Sequence, residues 1–202
     1  MNLPNALTIT RIFLVPLLVV VLLTKFEGRV ILGVPKELVG AAIFGIASLT
    51  DWLDGYLARR RKQVTAFGQF TDPLADKLLT IAAFVALVQM DLVPAWMAAV
   101  IIGRDFAVTA LRGVAYARGV AMPASPLGKM KMVAQVVAIL ALILGRDQLQ
   151  RFYVIGVGAL WVAVVAALVS GADYFRRFNR LPTAQIPGLA AAQEQRIDRK
   201  AG

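Results

Sequence analysis

Six long apolar segments constrain the fold of this chain more than any other feature. The 202 residues are 59% hydrophobic with a mean hydropathy of +0.71, too apolar for a soluble domain and too long for one or two spans. A helical span needs about 20 mostly apolar residues. The sequence therefore predicts an all-α integral membrane protein with six transmembrane helices, at 5–24, 37–58, 71–90, 94–116, 127–145 and 152–175. The alternative is a soluble helical bundle, but charge-free runs such as 156–169 favour lipid.

The six predicted spans leave only short loops between them, so we assign residues 1–181 to one membrane domain. After Leu181 the sequence changes to PTAQIPGLAAAQEQRIDRKAG. This composition predicts a mobile cytoplasmic tail over residues 182–202. No secretory signal peptide is predicted, because the first basic residue is Arg11 and no small-residue cleavage site follows the first apolar run.

The net charge of +10 is carried by basic residues that border the predicted spans. They are densest between the second and third spans, between the fourth and fifth, and after the sixth. The positive-inside rule therefore predicts that both termini and the loop after the second span face the cytoplasm. Attraction to anionic membrane lipids accounts for many of these charges. No nucleic-acid partner is predicted, because no soluble basic module carries them.

The chain contains no cysteine and no histidine. This excludes disulfides, thiol nucleophiles, imidazole bases and zinc sites built from Cys and His. Any catalysis must use carboxylates, amines, guanidinium groups, hydroxyls and a hard metal ion.

Four aspartates at the cytoplasmic ends of two predicted spans supply such carboxylates. Asp51 and Asp54 are three residues apart, Asp72 and Asp76 are four apart, and each spacing puts a pair on one helical face. The short loop between the spans predicts antiparallel neighbours whose pairs face each other. Converging carboxylates favour Mg²⁺, Mn²⁺ or Ca²⁺, and two such ions suit phosphoryl chemistry. The alternative is that the aspartates only cap helices.

The aspartates belong to a longer pattern that resembles the signature of the CDP-alcohol phosphotransferase family. In this chain it reads Asp51-x-x-Asp54-Gly55-x-x-Ala58-Arg59, then eight residues, then Gly68-x-x-x-Asp72-x-x-x-Asp76. The resemblance covers roughly residues 1–180. It implies a six-helix membrane enzyme of phospholipid biosynthesis with a cytoplasm-facing polar cavity, two divalent ions (Mg²⁺ or Mn²⁺) and a homodimeric state. A bacterial cytoplasmic membrane is the implied location.

The resemblance also implies roles for individual residues. The four aspartates would coordinate the metal ions, and Asp76 would also act as the general base. The residues that would bind CDP-diacylglycerol are Asn5, Thr8, Gly55, Ala58, Arg59, Thr65 and Gly68.

Basic residues inside the later apolar segments point to the acceptor. Charged residues in such segments usually face a cavity or a partner. Asp105 can pair with Arg104, but the remaining charges have no evident carboxylate partner in the sequence, so an anionic acceptor is predicted. The predicted acceptor phosphate-binding residues are Arg104, Arg112, Lys129 and Lys131.

Three segments, NLPNALTITR, GRDFAVTALR and LGKMKM, look like those of family members whose acceptor is sn-glycerol 3-phosphate. This implies transfer of the phosphatidyl group from CDP-diacylglycerol to sn-glycerol 3-phosphate, with release of CMP. Two positions depart from that pattern: Asp105, where Glu is more common, and Met132, where Thr is more common.

Other functions remain open at this point. The same chemistry can use inositol phosphate, serine or, in cardiolipin synthesis, phosphatidylglycerol as acceptor. A divalent-cation transporter is an alternative of another class, but its site should lie near the bilayer midplane. A purely structural membrane protein is a third alternative.

Overall fold

The computed structural model describes residues 3–24, 30–31, 33–61, 66–117, 120, 123, 125–145 and 150–180. The side chains of 3–9, 30, 51–61, 66–76 and 150 lie outside the described part. The helices are α1 (Leu3–Leu23), α2 (Lys36–Arg61), α3 (Ala66–Gln89), α4 (Ala95–Ala117), α5 (Pro126–Gly145) and α6 (Gln150–Asn179).

Each predicted span corresponds to one helix of the structure. The largest difference is at the start of α3, which begins five residues before the predicted start at 71. The helix extends through the polar sequence AFGQFTD, and hydropathy does not detect helical turns that project beyond an apolar layer. The far end of α6 is similar, since Arg176 and Arg177 lie in its last turn, where cations interact favourably with the helix dipole.

Two of the helices are long and apolar enough to cross a membrane within the described part of the chain, at Pro126–Gly145 and Arg151–Asn179. Two shorter apolar helical stretches lie at Thr10–Leu23 and Lys77–Gln89. The architecture is therefore six helices with two long candidate spans.

A small hairpin between α1 and α2 departs from the all-α prediction. Strands β1 (Val30–Ile31) and β2 (Val34–Pro35) pair antiparallel, with Ile31 opposite Val34. Gly33 has a φ of 82°, a left-handed conformation that glycine adopts without steric cost. Strands of two residues carry too few side chains for an alternating pattern to be recognised in the sequence.

The junction of α1 and α2 is held by a buried lysine. Lys36 donates hydrogen bonds from Nζ to the carbonyl oxygens of Leu22, at 3.0 Å, and Thr24, at 3.2 Å. Leu22 is in the last turn of α1 and Thr24 directly follows the helix, so neither carbonyl has an intrahelical donor. Lys36, the first residue of α2, thereby provides hydrogen-bond donors for the carbonyl groups at the end of α1.

Helices α5 and α6 form the most extensive contact in the structure. A Cβ on Gly156 would lie 2.8 Å from Leu142 Cγ, and one on Gly145 would lie 2.6 Å from Tyr153 Cα. Both glycines therefore allow the two helices to approach closely. Helix α4 packs on α6, α1 contacts both α2 and α3, and α2 contacts α5. This packing encloses a cavity between α3, α4 and α5.

Candidate active site

A cavity of about 270 Å³ lies between α3, α4 and α5, with Tyr174 of α6 at its wall. All four predicted acceptor residues line it. A fifth basic residue, from α3, joins them. The basic lining residues are Lys77, Arg104, Arg112, Lys129 and Lys131.

Helical spacing explains why these side chains share one space. On α4, Asp105, Thr109 and Arg112 follow one another at intervals of four and three residues, and on α5 Lys131 and Gln135 are four apart. Such intervals place side chains on one face of a helix. The two faces meet across the cavity.

Among the lining residues that the structure describes, Asp105 carries the only negative charge, and it binds two of the cations. Its Oδ1 accepts a hydrogen bond from Arg104 Nη1 at 3.2 Å, and its Oδ2 accepts one from Lys131 Nζ. The side chain of Lys131 is only 3% exposed. The expectation that Lys131 lacks a carboxylate partner is therefore wrong. The partner is on another helix and 26 residues away, so spacing along one helix does not reveal it.

Arg104 is held on its other side by α6. Its Nη2 donates to Ser170 Oγ at 2.8 Å. Its guanidinium carbon lies 5.7 Å from the centroid of the Tyr174 ring, within range of a cation–π interaction. Arg104 therefore joins α4 to α6 as well as facing the cavity.

Tyr174 also anchors the start of α5. Its hydroxyl donates to the carbonyl of Pro123 at 3.1 Å and accepts from the backbone N–H of Ser125 at 2.9 Å. Ser125 in turn caps α5, since its Oγ accepts a hydrogen bond from the N–H of Gly128 at 3.1 Å. Sequence reasoning missed Tyr174. The pair Ser125-Pro126 does predict the start of α5, because it places a capping hydroxyl before a proline at the first helical position.

Lys77 is a second residue that sequence reasoning missed as part of the site. Its Nζ donates to Thr109 Oγ1 on α4 and lies 6.0 Å from the centroid of the Phe106 ring. Thr109 Oγ1 in turn donates to the backbone carbonyl of Asp105 at 2.7 Å. An ammonium group that directly follows Asp76 in the chain thus reaches the cavity.

Arg112 and Lys129 differ from the other predicted acceptor residues because both are exposed. No ion pair or hydrogen bond joins either side chain to another residue that the structure describes. Their charge is thus available to an anion in the cavity.

Gln135 is the third lining residue that sequence reasoning missed. It is only 5% exposed, and its Oε1 accepts no hydrogen bond from the described residues. A polar residue within a mostly apolar span was the available signal.

The signature residues lie on two consecutive helices. Asp51 and Asp54 are in α2, and Asp72 and Asp76 are in α3. The two helices contact each other and are separated only by residues 62–65. The four side chains are outside the described part, and no group of three potential metal ligands occurs among the side chains within it.

The predicted donor-binding residues are placed by their backbone alone. Gly55, Ala58 and Arg59 are in α2, Gly68 is in α3, and Asn5 and Thr8 are in α1, which contacts both helices. Thr65 lies outside the described residues.

The described part of the chain is thus a helical protein with two long apolar candidate spans and a cavity lined by basic side chains of α3, α4 and α5. The chain belongs to the CDP-alcohol phosphatidyltransferase family, whose model matches residues 1–169. The family predicted from the signature is thereby confirmed.

Three relatives align with most of the chain. A Bacillus subtilis protein, CDP-diacylglycerol–glycerol-3-phosphate 3-phosphatidyltransferase, is 49% identical over 183 residues, covering 87% of this chain and 94% of the relative. A Rickettsia typhi protein of the same name is 37% identical over 177 residues, covering 87% and 96%. A Mycobacterium tuberculosis protein, probable phosphatidylglycerophosphate synthase, is 38% identical over 179 residues, covering 89% and 82%.

Proposed function

We propose that this protein transfers the phosphatidyl group of CDP-diacylglycerol to sn-glycerol 3-phosphate, giving phosphatidylglycerophosphate and CMP. The relatives that align with most of the chain are named for this reaction. The observation that carries the proposal is the cationic cavity, which is lined by the residue directly after the last signature aspartate.

The acceptor phosphate binds between Arg112 and Lys129. A guanidinium group can hold two phosphate oxygens at once, and an ammonium group adds a second positive charge. Arg104 and Lys131 contribute less directly, because both are engaged by Asp105. A volume of about 270 Å³ is slightly below the usual range for drug-sized ligands. This volume accommodates a small phosphorylated acceptor.

The signature aspartates bind two divalent ions, Mg²⁺ or Mn²⁺. The chemistry of the available metal ligands fits these ions. A chain without His or Cys offers only oxygen ligands, which these ions prefer. Such ions, when bound, neutralise the pyrophosphate of the donor and the charge on departing CMP. The CDP moiety is contacted by Gly55, Arg59 and Thr65, with Asn5 and Thr8 closing the pocket and Ala58 and Gly68 leaving room for it.

The chemical step is a substitution at phosphorus. The acceptor hydroxyl attacks the β-phosphorus of CDP-diacylglycerol, and Asp76 accepts the proton from that hydroxyl. A new O–P bond forms, the bond between that phosphorus and the CMP oxygen breaks, and CMP leaves with the electron pair. Lys77 supports this assignment, because its ammonium group enters the acceptor cavity one residue after Asp76 on α3.

All six helices cross a bacterial cytoplasmic membrane, with both termini and the site on the cytoplasmic side. Large exposed apolar side chains along α6, such as Val154, Trp161 and Leu168, support contact with lipid. The basic residues Arg176 and Arg177 in the last turn of α6 support the orientation. Residues 182–202 form a cytoplasmic tail. The homodimeric state is proposed from the family resemblance.

The proposal is tested with purified protein in detergent supplied with CDP-diacylglycerol. CMP release is measured with sn-glycerol 3-phosphate, inositol phosphate, serine or phosphatidylglycerol, each with and without a chelator. We expect CMP only with sn-glycerol 3-phosphate, and only while divalent ions are free. Asp76→Asn is the inactive control. CMP release with a different acceptor alone would overturn the substrate assignment, and metal flux into liposomes without CMP release would favour the transporter.

A further inference from the structure

The amide of Gln135 is buried in the wall of the cavity without a described hydrogen-bond partner. It lies in the middle of α5, a helix apolar enough to be a candidate span. Only 5% of the residue is exposed, and its Oε1 has no hydrogen bond from any described group. Buried amide oxygens are nearly always paired, because an unpaired one loses its hydration without compensation.

The amide lies at the end of the cavity away from the exposed cations. Gln135 follows Lys131 by four residues, so it is about 6 Å further along the axis of α5, on the side opposite Lys129. Beyond Lys77 and Lys131, the described lining residues of α3 and α5 are mostly apolar, including Ile81, Phe84 and Val136; apart from Gln135, Thr80 is the polar exception. Among the lining residues that the structure describes, Gln135 is the only amide.

This arrangement specifies the chemistry of a ligand that fills the cavity. One end must be anionic, because Arg112 and Lys129 lie there. Away from that end, the ligand must offer a neutral hydrogen-bond donor to an amide oxygen in mostly apolar surroundings, and a hydroxyl meets that need. A short polyol phosphate combines both groups.

We infer that Gln135 accepts a hydrogen bond from the secondary hydroxyl of the acceptor and makes the site selective for it. The inference rests on the proposed function, in which sn-glycerol 3-phosphate is the acceptor. Its phosphate occupies the cationic end, and its less hindered primary hydroxyl reacts. The secondary hydroxyl between them is not consumed, so its contact with Gln135 selects the acceptor. Gln135 is thus a specificity-determining residue.

The test compares two acceptors that differ only in this hydroxyl, sn-glycerol 3-phosphate and 3-hydroxypropyl phosphate. An analogue without the hydroxyl leaves Oε1 unpaired, which is how a buried polar group rejects a ligand. We expect wild-type protein to prefer sn-glycerol 3-phosphate by about 10–100-fold in kcat/KM, as loss of one buried hydrogen bond implies. Gln135→Met, with a side chain of similar length, should reduce this preference to less than about threefold, by losing activity toward sn-glycerol 3-phosphate.

The matched control is Val133→Leu, an apolar substitution on the same helix at a residue that is 65% exposed and does not line the cavity. It should keep the wild-type preference. Gel filtration and thermal melting in detergent confirm that each variant is folded.

Three results would overturn the inference. The first is wild-type protein that uses both acceptors equally well, which is decisive even if Gln135→Met does not fold. The second is an unchanged preference in folded Gln135→Met, and the third is an equal loss toward both acceptors, as expected if the amide only binds water. Wild-type protein that releases no CMP with sn-glycerol 3-phosphate overturns the proposed function and this inference together, so the two failures are distinguishable.

Discussion

The two halves of the cavity contain the same kinds of cation in different surroundings. In the inner half, Arg104 and Lys131 share the carboxylate of Asp105, and Lys131 is almost fully buried. In the outer half, Arg112 and Lys129 are exposed and make no ion pair with any described residue. The comparison indicates that basic residues of equal appearance in the sequence divide into a pair that a carboxylate neutralises and a pair with no described ion-pair partner.

The largest effect is expected from removing the charge that the inner pair shares. Asp105→Ala leaves Arg104 and buried Lys131 without their carboxylate, and breaking a buried pair typically costs about 3–5 kcal/mol. Because the Asp105 side chain is 24% exposed, we expect the lower end of this range. Yield and melting temperature in detergent should fall.

The matched control for this change is Asp105→Glu, which keeps the charge with one more methylene. It should restore most of the melting temperature. If Asp105→Ala melts like wild type, the inner cations do not form a structural pair, and the distinction between the halves fails.

The outer pair should instead affect the acceptor. Arg112→Ala should raise the KM for sn-glycerol 3-phosphate by about 10–100-fold, because charge-assisted bonds to phosphate are lost. The KM for CDP-diacylglycerol and the melting temperature should change little. Steady-state kinetics with each substrate varied in turn measures this. Equal increases in both KM values would remove Arg112 from the acceptor site.

Lys129→Ala tests the second outer cation and should have a smaller effect. An ammonium group binds phosphate as a point charge and lacks the two-point geometry of arginine. We expect the KM for sn-glycerol 3-phosphate to rise by about 3–10-fold, corresponding to the hydrogen bond of one charged group at a site open to water. Lys129→Arg is the control and should retain most of the affinity. A lower melting temperature with an unchanged KM would place Lys129 with the inner pair.

The smallest effect on the KM for the acceptor is expected from Tyr174→Phe. The change removes the hydroxyl that holds Pro123 and Ser125 but keeps the ring beside Arg104. Loss of such hydrogen bonds should lower stability by about 1–2 kcal/mol and raise the KM for the acceptor slightly, because the start of α5 carries Lys129. Tyr174→Leu, which also removes the ring, should melt at a lower temperature than Tyr174→Phe. Equal melting temperatures for the two variants would exclude a contribution from the ring.

Much of the fold could be predicted from hydropathy and spacing. The six helices are found where the six apolar segments lie, and the signature spacing correctly identified the family. The extended start of α3 and the hairpin before α2 were missed. The start of α3 is a polar stretch of helix, which a search for apolar segments does not detect. The hairpin is too short to show a repeating pattern of side chains.

The candidate site was predicted only in part. Arg104, Arg112, Lys129 and Lys131 were selected because charges in apolar segments need a partner, and they do line one cavity. Lys77 and Gln135 were not selected. The sequence places Lys77 next to the signature aspartates, which favours a role beside them and gives no indication of its contact with α4. The sequence shows that Gln135 is a polar residue in an apolar segment, but it does not show that the side chain is buried. The roles of the four aspartates remain predictions.

The sequence by itself determined the helices and the family, because local hydrophobic periodicity and fixed spacing along one chain are properties of neighbouring residues. Only the tertiary structure decided which cations are neutralised by a carboxylate and which have no described partner. Asp105 meets Lys131 across 26 residues and Ser125 meets Tyr174 across 49. Such contacts depend on how whole helices pack, and the packing depends on close approaches such as that at Gly156, so the spacing of residues in the sequence does not specify them.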